Sequence, residues 1–278
     1  MEHGGDLTPL EHRYILRLRV DGTNQVDAVR RILAWARDRQ SRSVCVATTH
    51  VVMEAYDSAE FRQVVNWADL VTPDGMPLVW GLRWLGIKGA TRVCGPDLMP
   101  EVLEAAAAAG IPVGFFGGTP VVMERLVAAA AKGFPGLKVA FAESPPFRPL
   151  ADAEDRDYVA SINRSGARIL FVGLGCPKQE RWMAAHRGRV KSVMLGVGAA
   201  FDFLAGTKPR APRWMQQAGL EWLFRLATEP RRLWRRYAWH NPRFAFHFGL
   251  QLMRHAVSAR STARRAEKEQ FSVLREPD

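Results

Sequence analysis

The chain has 278 residues, 47% hydrophobic and 24% charged, a globular composition that excludes a mainly disordered polypeptide. Its 39 Lys and Arg against 28 Asp and Glu leave a net charge of +11, which favours an anionic partner: a phosphate-bearing ligand, an acidic membrane surface or nucleic acid. Fifteen of the basic and six of the acidic residues lie in 207–278, so +9 of the excess belongs to the C-terminal quarter.

From residue 13 to about 200, short aliphatic and β-branched runs alternate with segments of helical period. Tyr14–Val20, Val44–Thr48, Leu70–Thr72, Val113–Phe116, Leu137–Phe141, Ile169–Val172 and Val193–Val197 read as strands. Helices are predicted at 24–39, 58–67, 76–85, 97–109, 120–132, 152–164 and 177–187. This alternation predicts an α/β fold: a Rossmann-like, mostly parallel sheet with helices on both faces, filling 1–205. Beyond it the segment 206–257 carries four Trp and clustered Arg, has no clear strand, and reads as a helical appendage broken by Pro230 and Pro242. The polar stretch 258–278 reads as a disordered tail.

Cys45, Cys94 and Cys176 are few and far apart, which suits a reducing compartment. The polar start MEHGGDLTPLEHR lacks the pattern of a signal peptide, and no apolar run reaches the roughly 18–20 residues of a membrane span. A cytoplasmic protein, soluble or peripheral on the membrane, is the expectation.

An open parallel sheet binds ligands beyond the carboxyl ends of its strands, so the loops there are the candidate sites. In VTPDGMPLVW, Asp74 follows a strand and can act as a general base, or it can merely cap the next helix. In RVCGPDLMP, Arg92 can clamp a phosphate or pair with Asp97. GFFGGTP offers Gly117 and Gly118, whose turn suits a diphosphate or simply lets two backbones pass. In FVGLGCPKQERWM, Lys178 and Gln179 suit phosphate and ligand oxygens, with Glu180 beside them in the first turn of a helix.

As a dinucleotide fingerprint this last loop fails, because Lys178 stands where the third glycine belongs; GVGAAF fails likewise at Phe201. Cys176 has no histidine near it in sequence and reads as an inert thiol. Asp155-Arg156-Asp157 resembles a metal-binding Asp-x-Asp but opens a helix, where acids favour the macrodipole. The seven histidines show no metal-ligand spacing, so neither metal nor cofactor is expected.

Between Trp222 and His255 seven arginines face one acid, Glu229, amid Trp, Tyr and Phe. That mixture suits an anionic bilayer surface or a lipid diphosphate; an aromatic stripe packed on the body is the plainer alternative. No nucleic-acid module is recognisable, and nucleic acid is not expected as a partner.

PDGMPLVW (73–80), RVCGPDL (92–98), FFGG (115–118), FPGLKV (134–139), VGLGCPKQERWM (172–183), GVGAAFDFLAGTKPRAP (196–212) and GLEWLFRLATEPRRLWRRY (219–237) occur in this order. Together they resemble the WecG/TagA/CpsF family of bacterial glycosyltransferases (glycosyltransferase family 26) over about 44–240. The resemblance implies an inverting, metal-independent transfer from a UDP-sugar to a polyprenyl-diphosphate-linked saccharide during surface polysaccharide synthesis, on the inner face of the cell membrane. It implies Asp74 as base, Arg92 and Gln179 in the nucleotide-sugar pocket, and Arg225, Arg232 and Arg235 or their neighbours completing the site from the appendage.

Many members carry T-x-N near the end of the second strand; here the stretch is Val46-Ala47-Thr48-Thr49-His50, with Thr48 in place of the asparagine. Thr48 and His50 are therefore expected at the sugar, and the donor is open between an N-acetylmannosamine type and a hexose such as glucose. Self-association into a homo-oligomer is left open. The competing readings are a nucleotide-binding α/β oxidoreductase, disfavoured by its broken glycine fingerprints, and a non-catalytic membrane or nucleic-acid binder using the basic tail.

Overall fold

The computed structural model describes residues 7–273, with side chains as far as Ser258. Six parallel strands form the central sheet: β3 (Arg42–Ala47), β4 (Leu70–Pro73), β5 (Val113–Gly117), β6 (Val139–Glu143), β7 (Ile169–Gly173) and β8 (Val193–Gly196), in the order β4-β3-β8-β7-β5-β6. The interior strands are continuous apolar runs because both faces are covered. Cys45, Ala47, Val71, Phe116, Leu170, Val172 and Met194 enter one core layer, while Val44, Val46, Leu70, Val113, Phe115, Ile169, Phe171, Val193 and Leu195 enter the other.

Helices α1 (Gln25–Arg37), α5 (Gly95–Ala108) and α6 (Pro120–Gly133) cover the second layer. The first is covered by α2 (Thr49–Asp57), α3 (Ala59–Asn66), α4 (Met76–Trp84), α7 (Asp152–Ser165) and α8 (Lys178–Ala185). Helix α2 and the short α9 (Ala200–Leu204) were not expected from the sequence. In α2 the side chain of Thr48 accepts a bond from the Val51 amide, a threonine N-cap that supplies the start signal.

The stretch Tyr14–Val20, read as one strand, is instead a hairpin: β1 (His12–Ile15) and β2 (Leu18–Asp21) pair antiparallel. Leu16 and Arg17 take positive φ values of 48° and 73°, a two-residue turn without the Gly or Asn that would have announced it. A distant residue braces it instead. Gln251 accepts from the Leu16 amide at 2.8 Å and donates to the Tyr14 carbonyl at 2.6 Å.

After the sheet come α10 (Arg213–Gln217), α11 (Glu221–Thr228) and α12 (Pro230–Val273). Pro230 opens α12, where its missing N–H costs nothing, whereas Pro242 lies inside the helix without ending it. Helix α12 also runs on through 258–273, where a disordered tail was expected; 274–278 lie outside the described residues. The appendage shares the core of the body. Phe244 and Phe248 are buried with it, and a Cβ on Gly81 of α4 would come within 2.8 Å of the Phe248 ring. Arg243 forks onto Asp57 of α2 at 2.9 and 2.6 Å. Among the described residues, no helix is long and apolar enough to cross a membrane.

Gly117 ends β5 at φ 126°, and a Cβ there would fall 2.6 Å from the Gly173 backbone. Close passage of two strands accounts for this glycine. Gly117→Ala should lower stability by roughly 1–3 kcal/mol, measured as a drop in the urea midpoint with the slope unchanged.

Candidate active site

Strands β3 and β4 end side by side, which places Thr48 and Asp74 at one edge of the sheet. The Asp74 amide donates to the Ala47 carbonyl at 2.8 Å, and the Val93 amide to the Pro73 carbonyl at 3.0 Å. Thr72 adds a hydroxyl bond to the Val93 carbonyl at 3.1 Å. These bonds lock the Asp74 backbone between two neighbouring segments. Gly75, at φ 98°, then turns the chain into α4 and is itself the N-cap, with no side-chain cap bond. Asp74 therefore does not cap the helix, and its carboxylate makes no hydrogen bond among the described residues.

That carboxylate keeps one face on a cavity of about 520 Å³ and is otherwise enclosed by protein. Burial, reinforced by the Glu221 carboxylate and opposed by Arg92 and Arg225, pushes its pKa up to about 7. A carboxylate poised there can accept a proton near neutral pH.

Arg92 ties this edge to the appendage. Its guanidinium donates to Glu221 at 2.7 Å, to Asp97 at 3.0 Å and to Gln216 at 3.1 Å. Arg210 joins the same Asp97 and Gln216. Burial alone would disfavour the charge on Arg92, but the Cys94 thiol, Asp74 and Glu221 outweigh it and hold the guanidinium protonated. Arg92 therefore pairs with Asp97, and it also lines the cavity.

Two more arginines enter the cavity without an acid. Arg225 lies over the Phe203 ring and Arg236 over Tyr237, and the Nε of each is buried with no hydrogen-bond partner. Arg232 pairs with Glu229 at 2.6 Å, and Arg235 stacks on Trp234; both lie outside this cavity. Helical phase could have set Arg235 apart, though not Arg232, which stands one turn before Arg236. At about 100° per residue, Arg236, His240, Phe244 and Phe248 share the stripe that turns inward, and Arg235 falls nearly opposite. Glu221 and Gln216 were missed because nothing in their local sequence distinguishes them from solvated residues.

Thr48 and His50 line the cavity as expected. His50 is pushed down to about 3 by burial and by the neighbouring Arg236 and His240, so it is a neutral imidazole. The loop of Gly175 and Cys176 behaves differently. Gln179 and Glu180 are buried: Gln179 accepts from the Gly175 amide at 3.1 Å and donates to Glu180 at 2.8 Å, bracing the turn rather than facing the cavity. Gly118 and Lys178 line a second cavity of about 390 Å³ with Arg148, Trp182 and Arg189. The Cys176 thiol is raised well above its usual range by burial and by Glu180 and Glu54, so it is inert. In the Asp-x-Asp run, Asp155 bonds His186 at 2.9 Å and Arg189 at 3.3 Å, while Asp157 is exposed.

A carboxyl with a raised pKa and three arginines share a cavity at the carboxyl edge of a parallel sheet, which is where α/β folds place their ligand sites. The chain belongs to the Glycosyl transferase WecG/TagA/CpsF family, which it matches over residues 13–258, and it is a glycosyltransferase. It is 29% identical over 224 residues to the N-acetylglucosaminyldiphosphoundecaprenol N-acetyl-beta-D-mannosaminyltransferase of Staphylococcus aureus (strain NCTC 8325 / PS 47), covering 80% of this chain and 86% of that one. It is also 29% identical over 194 residues to the protein of the same name from Bacillus spizizenii (strain ATCC 23059 / NRRL B-14472 / W23), covering 69% of this chain and 73% of the relative.

The raised Asp74 pKa carries a stability cost whose sign follows from linkage. Between the ordinary value of 3.8 and about 7, the unfolded chain is ionised while the folded one keeps its proton. Stability therefore falls as pH rises through that window, and the full penalty stands above it. Asp74→Asn should melt at a higher temperature than the wild type at pH 8, with the two curves converging near pH 4; a thermal melt at both pH values checks this.

Proposed function

We propose that the protein transfers a sugar, with inversion, from a UDP-sugar to a saccharide carried on a polyprenyl diphosphate, at the surface of an anionic membrane. The observation that carries this reading is the unbonded Asp74 carboxylate in a cavity that also holds Arg225 and Arg236, each with a buried Nε that has no hydrogen-bond partner. A hydroxyl is a poor nucleophile at neutral pH, so a base must take its proton as it attacks. The acceptor proton passes to Asp74, the acceptor oxygen bonds to the anomeric carbon from the side opposite the leaving group, and UDP departs with the electrons of the broken C–O bond. Arg92, Arg225 and Arg236 supply fixed positive charge to that leaving diphosphate or to the one on the acceptor lipid. The lipid carrier is supported by the names of the relatives, which contain diphosphoundecaprenol, and the nucleotide by the resemblance of the motifs to the family.

Donor choice falls on Thr48. Its hydroxyl already accepts from the Val51 amide, which leaves one O–H to donate to a sugar. The amide found there in many members reaches further and offers both a donor and an acceptor. Turnover with a panel comprising UDP-N-acetylmannosamine, UDP-N-acetylglucosamine and UDP-glucose ranks the donors.

Exposed aromatic and basic side chains support a bilayer as the meeting place. Trp84, Trp214, Trp222, Trp234 and Trp239 are exposed, and Arg231, Arg232 and Arg235 lie among them. Amphipathic rings and guanidinium groups suit the boundary between water and an acidic lipid surface.

Asp74→Asn should reduce turnover on the best donor by at least about 10²-fold while leaving UDP affinity unchanged by calorimetry. Full activity in this variant would remove Asp74 as base. In the wild type, kcat/KM should rise about tenfold per pH unit up to about 7 and level off above it, because only the ionised carboxylate accepts a proton. The protein should also pellet with phosphatidylglycerol vesicles, and charge reversal at Arg231, Arg232 and Arg235 together should release it.

A further inference from the structure

His50 and His240 line the cavity and meet Glu54 beside it, although no histidine spacing in the sequence suggests a metal ligand set. His50 and Glu54 are four residues apart on α2 and so share a face. His240 reaches them from α12, 186 residues beyond Glu54. The Glu54 Oε1 lies 3.7 Å from His50 Nδ1 and 3.6 Å from His240 Nε2, and one donor atom from each residue falls within 4.8 Å of the others. Ligands about 2.0–2.2 Å from a tetrahedral ion stand about 3.3–3.5 Å apart. Modest side-chain shifts would close the set.

We propose that His50, Glu54 and His240 form a site for a divalent transition metal of the zinc class, which clips α12 of the appendage to α2 of the body. Two imidazoles and a carboxylate are a borderline-soft donor set of the kind zinc prefers. A second observation points the same way: the Nδ1 atom of His50, the ring nitrogen that faces Glu54, is buried without a hydrogen-bond partner. Buried ring nitrogens are rarely left so. His50 and His240 line the cavity, so water from that side can complete the shell. The Arg236 guanidinium also faces His50 and opposes a dication, so the charge of Glu54 is what balances the site. The role is structural, and the proposal stands apart from the proton transfer assigned to Asp74.

The test uses untagged full-length protein, stripped with a chelator and titrated with Zn²⁺ alone at pH 7. One equivalent should bind, Zn²⁺ should raise the melting temperature, and Glu54→Gln and His240→Ala should each weaken binding at least about tenfold. Glu54→Gln keeps the volume and loses the charge, so it decides the matter should His240→Ala fail to fold. Absence of a bound equivalent, or an equivalent held with the same affinity by Glu54→Gln, overturns the proposal. The latter outcome would include zinc held by the cysteines.

Discussion

The Arg92 guanidinium is the joint on which the site depends. It takes Asp97 from its own loop, Gln216 from α10 and Glu221 from α11, so a single side chain binds the carboxyl edge of the sheet to the appendage. Charge-assisted bonds of this kind are short and directional. Removing one partner of such a half-buried set leaves the others without compensation, which costs more than the pairs contribute when intact. Without Arg92 the cavity would have a floor on the body and a detached wall on the appendage.

The same network sets the electrostatics. Glu221 neutralises part of Arg92 and adds to the burial that keeps the Asp74 carboxyl protonated near neutrality. Arg225 and Arg236 remain without acids in the same cavity. Proteins seldom leave buried cations uncompensated unless an anion completes them. Asp74 and the two arginines thus share one cavity: a carboxyl whose ionised form burial disfavours, and two cations that form no salt bridge among the described residues. Local stability is given up where the chemistry requires it.

Much of the fold was legible in the alternation of strands and helices, because a sheet buried on both faces demands continuous apolar runs. The errors have local causes. The β1–β2 turn carries no turn residue, since Gln251 from α12 braces it. Pro242 did not end α12, which is anchored on both sides of it by Arg243 on Asp57 and by the Leu233, Phe244 and Phe248 side chains. Of the residues expected at the site, Asp74, Arg92, Thr48 and His50 do line the cavity, Thr48 and Asp74 because they directly follow β3 and β4. Gln179 and Glu180 stand at a strand end too, yet they turn inward and brace their own loop.

The sequence by itself determined the parallel α/β body, the concentration of charge in the C-terminal quarter and membership of the glycosyltransferase family, because these follow from period, composition and ordered motifs. Only the tertiary structure decided which arginines reach the cavity, that Glu221 answers Arg92, and that His240 meets His50 and Glu54. Periodicity fixes which residues share a face of a helix. Which face meets which depends on how α11 and α12 pack back across the body, and no local pattern in the chain records a contact between residues more than a hundred positions apart.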